Sequence, residues 1–82
     1  MYETINEPVE VLVSFDKDKI LPMFFKWRQQ RYRVERVNLI HSQRNGEGKI
    51  YYFNVSDQTN YFKLSFSTQT LRWQLDELYT DG

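Results

Sequence analysis

The run Phe24-Phe25-Lys26-Trp27-Arg28-Gln29-Gln30-Arg31-Tyr32-Arg33-Val34-Glu35-Arg36 divides, at a period of two, into an apolar side and a basic side. Successive side chains leave a strand on opposite faces, so this alternation predicts a half-buried β-hairpin. With Gln29-Gln30 as a two-residue turn, Trp27 faces Tyr32 and Phe25 faces Val34. The other side then sets Arg28 against Arg31 and Lys26 against Arg33. An isolated hairpin is marginal in water, so the remaining chain has to cover its aromatic face.

The flanking segments supply short strands. Residues 1–8 are polar and aperiodic, and read as a flexible lead-in to one β domain spanning 9–80. Val9, Val11, Val13 and Phe15 share one face of a first strand, ended by the charged turn Asp16 to Lys19. Pro22 lacks an N–H and belongs at a strand start or an edge. After the hairpin turn the apolar positions slip from Val34 to Val37, which predicts a bulge or a change of face near Glu35-Arg36. Ser42 to Gly48 is a loop with an Asn45-Gly46 turn signal. Lys49–Val55 and Tyr61–Phe66 are further strands.

Residues 71–79 fit two templates. Leu71, Leu75, Leu78 and Tyr79 make a helical stripe, and Leu71, Trp73 and Leu75 a strand. Regular spacing of strands and turns favours the strand, with a bulge at Asp76-Glu77. The expected fold is all-β, an antiparallel meander of about six strands curled into a small, partly open barrel, SH3-like or OB-like.

Six Phe, six Tyr and two Trp supply a core of large side chains in an 82-residue chain. The absence of Cys excludes disulfides, thiolate zinc sites and a Cys nucleophile. No apolar run is long enough to form a spanning helix and no signal-peptide pattern opens the chain; a cytoplasmic setting is expected. The formal net charge is zero, but its distribution is uneven. Residues 1–25 hold two Lys and five Asp or Glu, net −3. Residues 26–49 hold seven Lys or Arg and two Glu, net +5. Residues 50–82 hold two Lys or Arg and four Asp or Glu, net −2.

Several runs together resemble a known family: Pro8-Val9-Glu10-Val11, Phe25-Lys26-Trp27-Arg28, Tyr32-Arg33-Val34, Tyr61-Phe62-Lys63-Leu64 and Trp73-Gln74-Leu75. It is a bacterial domain of unknown function, found as a small standalone protein or at the end of Y-family translesion polymerase-like chains. The resemblance covers roughly residues 8–80. At the turn, Gln29-Gln30 stands where the family commonly carries Gly. The resemblance implies an intracellular, non-catalytic accessory domain connected with DNA repair, and brings no catalytic residues.

Catalytic constellations are poorly represented. His41 is the single histidine, so a two-His metal site is excluded. Ser14, Ser42, Ser56, Ser65 and Ser67 lack a nucleophile-elbow context. Asp16 and Asp18 alternate with Lys17 and Lys19, the pattern of a solvated turn. Gly46 and Gly48 do not form a phosphate loop. No enzyme activity, cofactor or metal is expected.

The basic side of the hairpin is the one constellation that demands an explanation. Opposed like charges destabilise a ribbon. Either Glu10, Glu35 or the acidic C-terminal strand neutralises Lys26, Arg28, Arg31, Arg33 and Arg36 from within, or an anionic partner does so from outside. The expected function is a small interaction module, binding a protein partner through a strand edge or the basic hairpin. The partner would be an acidic protein or a second copy. The alternative is a weak nucleic-acid-binding accessory domain, with Tyr51, Tyr52 and Tyr61 as stacking platforms beside the arginines. No membrane partner is expected.

Overall fold

A computed structural model describes residues 1–80. Seven antiparallel strands follow one another: β1 (Tyr2–Asp16), β2 (Lys19–Trp27), β3 (Gln30–Arg33), β4 (Arg36–Asn45), β5 (Gly48–Ser56), β6 (Asn60–Ser67) and β7 (Arg72–Thr80). Their order in the sheet is β3-β2-β1-β7-β6-β5-β4. Except for β3 and β4, which form the two edges, each strand lies beside its neighbour in sequence, and the first also pairs with the last. The sheet therefore curls into a meander that stays open between β3 and β4. Among the described residues no helix is long and apolar enough to cross a membrane.

Strand β1 holds the two halves of the sheet together. Its first half, Tyr2 to Val9, pairs with β7, and its second half, Glu10 to Asp16, pairs with β2. Residues 2–8, read from sequence as a flexible lead-in, are thus part of the sheet. Their alternation is hidden by a register shift between Thr4 and Glu7, where Asn6 takes φ 52°. It is hidden further by Glu7, a carboxylate on the core-facing row opposite buried Leu75.

The hairpin register also differs from the sequence reading. The turn residues are Arg28 and Gln29, both with positive φ (51° and 66°). That is the backbone of a type I′ turn, whose twist matches that of the strands. Phe25 therefore faces Tyr32, Lys26 faces Arg31 and Phe24 faces Arg33. Moving the turn by one residue moves each partner by two, so the apolar and basic faces survive unchanged. The physical gain lies in the charges: Arg28 leaves the basic row, and one opposed like-charge pair remains where two were expected.

The strand after the turn is two strands. At Val34-Glu35 the chain rounds a corner, with the Val34 N–H donating to the Met23 carbonyl (2.8 Å) and the Glu35 N–H to the Ser56 carbonyl (2.9 Å). That corner supplies the irregularity expected near Glu35-Arg36 and brings the strand count to seven. Pro22 sits at a second irregularity, where Met23 is skipped between the pairs Leu12–Phe24 and Val13–Pro22. Its missing N–H falls at that irregularity rather than within a regular stretch of the ladder. Residues 72–80 are a strand, and Asp76 is its bulge.

The core is formed by Phe25 and Trp27 of β2, Phe53 and Val55 of β5, Phe62 and Leu64 of β6, and Leu75 of β7. Aromatic rings join its two sides. Phe25 stacks on Tyr32 (centroids 5.1 Å apart, 13°) and meets Phe62 edge-on at 4.9 Å. Every buried side-chain nitrogen or oxygen among the described residues has a hydrogen-bond partner.

Candidate functional site

The outer face of β1–β3 is built from the side chains that the hairpin does not bury. Across the strands, Glu10 of β1 lies opposite Lys26, which lies opposite Arg31 of β3. One step along, Leu12 lies opposite Phe24, which lies opposite Arg33. Cationic and apolar positions thus alternate in rows rather than forming a uniform basic surface. Leu12 is exposed and Phe24 half-buried, both on the solvent side of the ribbon.

Two hollows follow from this pattern. The first, about 350 Å³, has Leu12 and Phe24 as its apolar floor, with Lys26, Arg31 and Glu10 around it. The second, about 330 Å³, lies at the corner between β3 and β4. Leu21, Pro22, Met23 and Val37 line it, with Arg33, Glu35 and Arg36 at its rim. Each hollow joins apolar surface to two cations and one carboxylate, leaving one net positive charge. Arg33 stands at the junction, opposite Phe24 of the first hollow and on the rim of the second.

Arg28 is not part of this face. Its guanidinium grips Glu7 through Nη2 (2.6 Å) and Nε (3.2 Å), the one ion pair among the described residues. The indole N–H of Trp27 donates to the same carboxylate at 2.9 Å, and Arg28 lies over the Trp27 ring at 4.6 Å. The Arg28 hydrogen bonds, and then that of Trp27, hold the Glu7 carboxyl below the usual glutamate range. This cluster ties the hairpin turn to the β1–β7 seam. It neutralises one arginine from within and leaves Lys26, Arg31, Arg33 and Arg36 to solvent.

The three tyrosines of the stacking reading do not gather beside the arginines. Tyr51 lies opposite Phe66 on the core-facing side and is half-buried against the core. Tyr52 is on the outer face of β5, stacked on His41 (4.9 Å, 19°) with Lys63 Nζ 5.0 Å from its ring centre. Tyr61 is on the outer face of β6, opposite Tyr79 of β7. Of the basic residues, Arg36 alone shares a row with one of them, across Ser56 from Tyr61.

Glu7, Tyr2 and Tyr79 were not singled out in the sequence. The first two lie in the segment read as a lead-in, and Tyr79 sat on the helical stripe. The alternation of Ile5, Glu7 and Val9 was the available signal for the missing half-strand. Among the described residues no group of three His, Cys, Asp or Glu side chains comes together to hold a metal ion. No protein-family model matches the chain, and no curated protein or solved structure is significantly similar to it.

Proposed function

We propose that the protein is a non-catalytic interaction module, working in the cytoplasm, that binds an extended acidic protein segment on the outer face of β2–β3. The observation that carries this reading is the pairing of an apolar floor with two cations in each of two adjacent hollows. A segment that alternates carboxylate and apolar side chains satisfies both chemistries. Its apolar side chains cover Leu12, Phe24 and Met23, while its carboxylates meet Arg31, Arg33 and Arg36. The free edges of β3 and β4 offer main-chain hydrogen bonds to the same segment. A nucleic-acid backbone would use the cations but leave the apolar floors wet, and the one ring among Lys26, Arg31 and Arg33 is the half-buried Phe24.

Fluorescence anisotropy with a labelled alternating aspartate–leucine octapeptide tests this, beside labelled oligothymidine, duplex DNA and anionic vesicles. The peptide is expected to bind, and Arg31→Glu with Arg33→Glu to weaken it by about tenfold or more. Tighter binding of nucleic acid or vesicles, or peptide binding indifferent to the charge reversals, would refute the proposal.

A further inference from the structure

The outer face on the opposite part of the sheet has a different chemistry. Tyr61 of β6 lies opposite Tyr79 of β7, which lies opposite Tyr2 of β1. These rings are 54%, 46% and 59% exposed. Neighbouring strands are about 4.8 Å apart, so three rings in a row make an aromatic band about 10 Å wide. Beside it lies a hollow of about 350 Å³, within the size range of small-molecule sites, with Asn38 and Asn54 on its wall. Its charged groups are one cation, Lys63, and one carboxylate, Glu77, opposed across β6 and β7.

A second and larger depression continues the first along the strands, sharing Lys63 and Glu77 with it. The bulges of β1 and β7 meet there. Asp76, largely buried, accepts from Ser65 Oγ at 3.0 Å and from Gln74 Nε2 at 2.7 Å, and Gln74 also donates to Asn6 Oδ1 at 3.4 Å. From Tyr61 to Ser67 the two depressions make a groove about 20 Å long, at roughly 3.4 Å per residue.

The occupant follows from the lining. Single-stranded nucleic acid needs a positively charged track beside its stacking rings, and the charges around this band cancel. An apolar peptide or acyl chain would leave the Asn54 amide dry and unpaired and would take water from the opposed Lys63 and Glu77, while Asn38 already donates to Ser56 Oγ at 3.2 Å. A neutral chain with flat C–H faces and hydroxyl edges satisfies both, because rings cover the faces while amides accept from and donate to hydroxyls and carboxylates accept from them. We propose that this groove binds an uncharged oligosaccharide. Tyr61 and Tyr79 stack on its sugar rings, and Asn54 and Glu77 bond their hydroxyls. This site is independent of the peptide-binding face, and either can fail without the other.

Saturation-transfer NMR with cellotetraose, maltotetraose, xylotetraose and chitotetraose, each at millimolar concentration, tests the proposal. At least one tetrasaccharide should receive saturation. Tyr61→Ala with Tyr79→Ala should weaken that binding by about tenfold or more, whereas Tyr61→Phe with Tyr79→Phe, which keeps the rings, should stay within about threefold. Both tyrosines are exposed, so the variants retain the fold. Absence of transfer to all four sugars overturns the proposal. So does binding that ignores the alanine substitutions, or tighter binding of oligothymidine or a proline-rich decapeptide in the same groove.

Discussion

The two outer faces of one curled sheet have been given opposite characters. On β1–β3, cations alternate with apolar side chains and outnumber the carboxylates; Glu10 lies opposite Lys26, and Arg28 alone forms an ion pair among the described residues. On β5–β7 and the first half of β1, the charged side chains oppose one another and the exposed rings are tyrosines. The difference originates in the strands themselves. The hairpin spends its inner positions on Phe25, Trp27 and Tyr32, so its Lys and Arg can only point outward. In β6 and β7 the inner positions go to Phe62, Leu64, Leu75 and Leu78, and the outer ones carry a Lys63–Glu77 pair. One core thus supports two surfaces with separate chemistries.

The largest effect expected is on that shared core. Phe25→Ala and Phe53→Ala should each cost about 3–5 kcal/mol in urea unfolding, because both side chains are fully enclosed. Both should do so in one cooperative transition seen equally by fluorescence and by circular dichroism. Should Phe25→Ala release the hairpin alone, with β4–β7 still protected in hydrogen exchange, the two faces would belong to two separable units.

A smaller cost belongs to the β5–β6 turn. Burial pushes the Asp57 carboxyl up, but the N–H groups of Thr59 and Asn60 donate to it (2.9 and 2.7 Å) and prevail, leaving it below the usual aspartate range. Asp57→Ala leaves those two N–H groups without their acceptor and should destabilise by about 1–2 kcal/mol, measured by thermal melting. The hairpin turn on the other side should respond in the opposite sense. Gln29→Gly removes a side chain from a left-handed position and should add about 0.5–1 kcal/mol in the same assay.

The smallest effect is the pH response of the Glu7–Arg28–Trp27 cluster, which is exposed and so screened by solvent. The folded-state carboxyl of Glu7 is depressed relative to the unfolded chain. Its contribution is therefore present above the usual glutamate range, near pH 4, and is lost as the pH falls through the lower folded value. Glu7→Gln should flatten that part of the stability profile and lower it above pH 6 by a small amount that no longer varies with pH. An unchanged acid limb would mean that the cluster does not fasten the turn to the β1–β7 seam.

Much of the fold is legible in the residues. Alternation identifies the hairpin faces, the strands around Tyr61–Phe66 and Lys49–Val55, and the corner after Val34. Three features resist it, each for a physical reason. The hairpin turn depends on backbone twist and on the repulsion between Arg28 and Arg31, neither of which a hydrophobic pattern records. The first half of β1 is masked because Glu7 takes a core-facing position that becomes acceptable only when Trp27 and Arg28 arrive from another strand. The tyrosine row is built by pairing residue 2 with residue 79, a relation that local sequence does not contain. The site was legible as a set of arginines. Its apolar floors were not, because Leu12 and Phe24 meet only once β1 and β2 are in register.

The hairpin face, with its joined apolar and cationic positions, is the proposed partner surface. Nitrogen–proton correlation NMR of the labelled protein, titrated with the alternating aspartate–leucine octapeptide, tests this directly. Shifts are expected at Leu12, Phe24, Lys26, Arg31, Arg33 and Arg36, while Tyr2, Tyr61 and Tyr79 stay in place. Shifts centred on the tyrosine band, or no saturable shifts at all, would contradict it.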